Sequence, residues 1–248
     1  KADSRFSLSK PGEYLSERAI LRRTRQNIPL DSLDLPVNQR YIQPILDLSA
    51  ELIHSSKWLN GITVKVDSAG FRNRVLQLPF VKEIQLTKTG QDKKSTVKKF
   101  YEPVLSNDFF SNDSSEYGSS FYQINQINGQ FLHAKRFKGE GMQIAVLDAG
   151  FLGSDSLPAF DSLRLDNRIL GVKDFVNPDE VFFQTHPHGM NVLSCMAGNI
   201  PGVLIGSAPE ASYWLIRTED AGSEYIIEED NWVAAAEFSD SIGVDVIN

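Results

Sequence analysis

The sequence predicts a small α+β unit followed by a doubly wound α/β unit built on a parallel sheet. Three observations predict it. Residues 1–87 alternate short helical and strand-like runs around an Asn60-Gly61 pair. From Gln123 onward, short unbroken apolar runs end in turn signals and are separated by helical segments, the pattern of strands buried on both faces. The charge balance also changes sign, with 18 Lys+Arg against 10 Asp+Glu in residues 1–100 and 7 against 22 in residues 101–248. Two surfaces of opposite sign suggest two domains that attract each other.

The elements follow in order. Glu13 to Arg25 reads as a short helix rich in arginine (Arg18, Arg22, Arg23, Arg25) that ends before Pro29. Val37 to Ala50 has helical spacing at Tyr41, Ile45 and Leu48, and Pro44 marks a helix start or kink. In "ELIHSSKWLNGITVKV" two strands flank Asn60-Gly61, a two-residue hairpin signal because both turn positions need φ > 0. "SAGFRNRVLQLPF" predicts a second helix with Phe71, Val75 and Leu76 on one side, and "VKEIQLT" a strand. With one more strand upstream of Lys1, this order makes a split βαβ, ferredoxin-like domain over residues 1–87. Residues 88–116 turn basic and then Ser/Asn/Asp-rich, without periodicity, and predict an exposed linker open to proteolysis.

The second unit is expected over 117–248. "MQIAVLDAGF", "ASYWLIRTED" and "GVDVIN" predict parallel strands, and "SEYIIEEDNWVAAAEFSDSIG" a helix with Ile227, Ala234 and Phe238 on one face and Gly243 as its stop. The run "HGMNVLSCMAG" opens another helix, lined with small residues. No apolar run reaches the roughly 20 residues of a membrane span. The basic half lacks the aromatic-interleaved pattern of a nucleic-acid binder. The single Cys195 cannot form an internal disulfide and is expected to be buried and inert.

Functional side chains gather at the carboxyl ends of parallel strands, which selects Asp148. His188 opens a helix, where unpaired N–H groups and the helix dipole disfavour the imidazolium. A neighbouring carboxylate such as Asp148 would restore a usable base, holding one ring nitrogen and leaving the other to take a proton. Two alternatives stand beside this. His188 could simply close a loop. His186-Pro187-His188 could instead bring two imidazoles to a metal ion, with Asp148 or Asp174 as a third ligand. The acidic cluster Glu219, Asp220, Glu224, Glu228, Glu229 and Asp230 is expected to complement a helix dipole and to be solvated, or else to form a cleft wall preferring basic side chains.

These residues resemble a family. "IAVLDAGF" resembles the aspartate segment of subtilisin-like serine peptidases. "HGMNVLSCMAG" with "GVLIGSAPEASYWLIRTED" resembles their histidine segment, and "AAAEFSDSIGVDVIN" the helix and strand leading to their substrate-binding strand. "LSERAILRRTRQNIP", "SSKWLNGITVKV" and "LPFVKEI" resemble the propeptide of large secreted bacterial subtilases. The resemblance implies that Asp148 is the triad aspartate and His188 the general base, while His186 has no family role. It implies a propeptide that assists folding and inhibits, a linker cut near the cleft, polypeptide substrates and a secreted or cell-envelope location with the signal peptide removed. No organic cofactor is needed. Structural calcium is a family feature to which Asn199 could contribute.

Three departures qualify the match. Ala149 stands where the family has Ser or Thr, and Met190 where it has Thr. The Gly-Thr-Ser nucleophile segment and the oxyanion Asn do not occur. The serine is therefore expected in a C-terminal remainder, as a separate or continuing chain, and residues 1–248 alone should be inactive. The rival expectation is a subtilase-like pseudoenzyme or binding module without a working serine.

Overall fold

In the computed structural model, residues 3–67, 69–89, 99 and 116–248 are described. Apart from Lys88, Thr89, Lys99 and Glu116, the linker expected over 88–116 lies outside them. In chain order the elements are α1 (Glu17–Gln26), α2 (Gln39–Leu46), β1 (Glu51–Ser56), β2 (Gly61–Lys65), α3 (Phe71–Val75), α4 (Phe121–Gln126), α5 (Gly129–Ala134), β3 (Gln143–Asp148), α6 (Asp161–Leu165), β4 (Ile169–Asp174), α7 (His188–Ala197), β5 (Asn199–Ile200), β6 (Leu204–Ile205), β7 (Ser212–Arg217), α8 (Ile227–Ile242) and β8 (Val246–Ile247). They divide into two compact units, Lys1–Lys93 with Tyr225–Gly243, and Lys94–Glu224 with Val244–Asn248.

In the first unit, α1 starts four residues later than the sequence suggests, because Ser16 caps it by accepting the N–H of Ala19 at 3.1 Å. It stops where Asn27 turns left-handed at φ 56°. Asn38 caps α2, and Pro44 is accommodated inside it. Of the expected face of α3, Phe71 and Val75 are buried while Leu76 is exposed.

β1 and β2 pair antiparallel, but not through a two-residue turn. Ser56 pairs with Gly61, Asn60 alone takes positive φ, and Lys57–Asn60 form a wider loop. The reason is a carboxylate inside that loop. Glu237 of α8 accepts the Ser56 hydroxyl at 2.5 Å, the Lys57 N–H at 2.8 Å and the Trp58 N–H at 3.0 Å. A tight turn would have no room to wrap it.

The strand expected at "VKEIQLT" is not formed, and 81–87 run without a ladder partner. The segment instead reaches the start of α8, where the Ile227 N–H donates to Thr87 O at 3.3 Å and Lys88 Nζ lies 4.8 Å from the Tyr225 ring centroid. The described residues of this unit therefore hold a two-stranded hairpin with helices, and not the four-stranded ferredoxin-like sheet.

Basic residues of this unit converge on the far end of α8. Arg22 and Arg23 donate to Asp240 at 2.5 and 2.7 Å, Arg23 also bridges Asp34, and Lys57 Nζ reaches Asp240 at 3.4 Å and Ser241 Oγ at 2.8 Å. Burial pushes the Asp240 carboxyl upward, but Lys57, Arg23 and Arg22 outweigh it and hold the group below the usual carboxylate range. At the α8 terminus Gly243 takes φ 86°, and a Cβ there would lie 2.5 Å from the Ala19 nitrogen. That close approach lets the Arg18 Nε donate to the Gly243 carbonyl at 3.0 Å. The acidic first turn of α8 suits the helix dipole. Contrary to expectation, Glu228 is buried and not solvated. Asp230 accepts the Thr63 hydroxyl at 3.0 Å.

The second unit is built on a four-stranded parallel sheet in the order β4-β7-β3-β8. β3 is central and reads as the unbroken apolar run the sequence predicts, with Ile144, Ala145, Val146 and Leu147 all buried. Val146, Phe151, Phe160, Leu163, Leu193, Tyr213 and Leu215 form its core. α7 buries Gly189, Leu193 and Ala197, one stripe at helical spacing. Cys195, two residues from each of the last two, falls on the other face and is exposed, which corrects the expectation of a buried thiol.

Candidate functional site

The parallel register places three ends together. Asp148 at the carboxyl end of β3 pairs with Arg217 of β7, and Arg217 with Asp174 of β4. Side chains there emerge from the edge of a packed sheet, where ligands meet open α/β folds. Arg217 donates to Asp174 at 3.2 Å and to Glu180. Asp174 also accepts the N–H groups of Val176 and Asn177 at 2.8 and 2.9 Å, so the loop after β4 is tied to the same ion pair.

Two turns bring His188 to Asp148. After β3 the chain runs Ala149–Gly153, and before α7 it runs Phe182–His186. Phe151 and Phe182 stack with centroids 5.5 Å apart. Thr185 Oγ1 donates to Phe182 O at 2.8 Å and accepts the Phe151 N–H at 3.3 Å, and the Leu152 N–H donates to His186 O at 3.3 Å. With the turns locked together, His188 Nδ1 lies 2.8 Å from Asp148 Oδ1 and 3.0 Å from Oδ2. Residues 40 apart in sequence thus meet at the rim of the sheet. The Asp148 side chain keeps 9% of its exposure and that of His188 keeps 39%. The carboxylate is sheltered while the imidazole remains open to a reactant.

The Ala149 N–H donates to Asp148 Oδ1 at 2.6 Å. Met190 packs against the apolar core. Gly189 is required by contact: a Cβ there would sit 2.6 Å from Gly150 O and 2.8 Å from Asp148 Cβ. Gly189→Ala must therefore push α7 off β3 and open the Asp148–His188 bond. The expected cost is about 2–4 kcal/mol, by analogy with other overpacked sites. Urea unfolding of the variant would check it, together with loss of the low-field imidazole proton resonance.

The metal reading gains no support. Among the described residues no group of three or more His, Cys, Asp or Glu side chains gathers as ligands. Asn199 donates from Nδ2 to Ser162 Oγ at 3.3 Å. His186 is a loop residue, as expected, but not an idle one, since its Nδ1 accepts the main-chain N–H of His188 at 3.2 Å. His133 is structural: its ring lies between the Tyr117 hydroxyl at 3.1 Å and the Ser207 carbonyl at 3.0 Å.

Sequence reasoning missed the Glu237 and Asp240 anchors. A signal existed for Glu237, a lone carboxylate directly after three alanines on the apolar stretch of α8. It also missed the Arg217–Asp174 pair, whose partners are 43 residues apart and meet only through strand register.

Residues 1–101 match the family model described as the Peptidase S8 propeptide domain, Bacteroidota. The N-terminal resemblance to a subtilase propeptide is thereby borne out. No curated protein matches the chain.

Proposed function

We propose, from the premise that residues 1–101 are a subtilase N-terminal propeptide, that the chain is the front part of a secreted serine endopeptidase zymogen. The observation that carries this reading is the Asp148–His188 pair at 2.8 Å, sheltered on the carboxylate side and open on the imidazole side. It stands at the sheet edge where an acyl-transfer site belongs.

The chemistry follows from the geometry. Asp148 accepts from Nδ1 and fixes the tautomer in which Nε2 is basic. A serine hydroxyl, from residues outside this sequence, loses its proton to Nε2 as it attacks the peptide carbonyl. His188 then gives that proton to the leaving amine. Water repeats the cycle to release the acyl group. Asp148 stabilises the imidazolium formed in between and stays ionised throughout.

Residues 1–101 act in this reading as folding assistant and inhibitor. The support is the grip on α8, where one carboxylate fills the β1–β2 loop and a second takes three cations. α8 is followed in the chain by β8.

A fluorophosphonate probe tests the reading on the complete protein after propeptide release. Covalent labelling of one serine is expected, falling to background in His188→Ala. A complete protein that releases its propeptide and still takes no label would be a pseudoenzyme, and the peptidase reading would be withdrawn.

A further inference from the structure

We propose that His186 is a positioning residue for His188: as a neutral imidazole it accepts the main-chain N–H of His188 and holds the first turn of α7 so that His188 stays on Asp148. The inference rests on the reading of His188 as general base and names a residue that this reading leaves without a role.

The first N–H groups of a helix have no partner inside it. In α7 the preceding residue is Pro187, which cannot cap with a side chain, and no side-chain cap is formed from that position. The His188 N–H finds its acceptor one residue further back, in His186 Nδ1 at 3.2 Å. An acceptor two residues before the donor is the geometry of an Asx turn, here made with an imidazole. The two rings lie 6.5 Å apart at 32°. The backbone of His186 is itself fixed, since its carbonyl takes the Leu152 N–H at 3.3 Å. A Cβ on Gly150 would lie 2.4 Å from the His186 nitrogen, so β3's following turn presses directly on this residue. A rigid carrier thus holds the acceptor, and the acceptor holds the residue that must keep its bond to Asp148.

Only one protonation state can do this. Nδ1 accepts when the ring carries its single proton on Nε2, and a protonated ring donates from both nitrogens. The charged groups facing His186 are His188 on α7, Asp148 on β3 and Arg217 on β7. Burial disfavours the charged form most, His188 and Arg217 add to this, and Asp148 opposes them. The neutral ring is the favoured one at neutral pH, and acid removes the acceptor. The acid limb of activity should therefore carry a contribution from His186 that disappears when a non-titrating acceptor replaces it.

The test uses the complete, processed protein and a peptide substrate, comparing wild type with His186→Ala, His186→Asn and His188→Ala between about pH 5 and 9. His186→Ala should lose about tenfold in kcat with KM within about twofold of wild type. His186→Asn, whose amide oxygen can take the same N–H, should recover to within about threefold. Its acid limb should be shallower than that of the wild type by the contribution of His186. If His186→Ala equals wild type in kcat and in acid slope, or if Asn rescues nothing, the inference is overturned. Nitrogen-15 spectra of the imidazoles give a readout independent of activity and of whether His186→Ala folds. An unprotonated His186 Nδ1 at neutral pH supports the inference, and a proton on Nδ1 ends it. His188→Ala separates the two ideas. Retained turnover in that variant defeats the general-base reading and this inference with it. An inactive His188→Ala beside a wild-type-like His186→Ala defeats only the latter.

Discussion

His188→Ala in the complete protein is expected to lower kcat for peptide hydrolysis by about 10⁶-fold, and Asp148→Ala by about 10⁴- to 10⁵-fold. The asymmetry has a structural cause. In the proposed mechanism His188 is the group that takes the serine proton. Without Asp148 the base remains but loses the partner that selects its tautomer and stabilises its charge. Asp148→Asn should resemble Asp148→Ala in rate although the volume is kept, because an amide that donates to Nδ1 leaves the proton on the wrong nitrogen. The fold should tolerate His188→Ala, since 39% of that side chain is already exposed. Steady-state kinetics with circular dichroism as a control would check all three variants. Undiminished kcat in a folded His188→Ala would remove the imidazole from the mechanism.

Glu237→Ala is expected to destabilise the first unit by about 3–5 kcal/mol, enough to release much of its hold on α8. Glu237 is buried, and it is the acceptor for one hydroxyl and two main-chain N–H groups of the β1–β2 loop. Alanine leaves these donors without an acceptor and a cavity beside them. Glu237→Gln keeps one acceptor oxygen and should cost roughly half as much. Trp58 lies in the loop that wraps the carboxylate, so its fluorescence during urea unfolding reports the event once Trp214 and Trp232 are replaced by Phe. A midpoint unchanged in Glu237→Ala would show that the loop does not depend on the carboxylate. Asp240 is less decisive for such a test, because Arg23 keeps Asp34 as a second partner at 2.7 Å when Asp240 is removed.

The parallel sheet was legible because buried strands carry their burial in composition. "QIAVLD" and "SYWLIR" could hardly be anything else once turn signals bounded them. That Asp148 and His188 would meet was legible for a related reason, one closing such a strand and the other opening a helix of small residues. The propeptide was legible as a resemblance but not as a topology. Asn60-Gly61 signalled a tight hairpin, and the loop widened because a carboxylate from α8 occupies it. "VKEIQLT" alternates like a strand yet finds no ladder partner, which local pattern cannot reveal. Cys195 was misread because a run of small residues around a helix does not say which face turns inward. The role of His186 depends on a single 3.2 Å contact and leaves no periodic trace.

The loop around Glu237 carries a cost in time. Ser56 and Glu237 are separated by 181 positions. During synthesis, at about 5–20 residues per second, the hairpin would leave the ribosome roughly 10–40 s before its anchor exists. Hairpins form in about 1–10 μs, so this one can form and open many times in that interval. Two strands alone are marginal in water. The nascent N-terminal segment must therefore persist half-made, with Arg22 and Arg23 still lacking Asp240, until the acidic helix emerges to complete it.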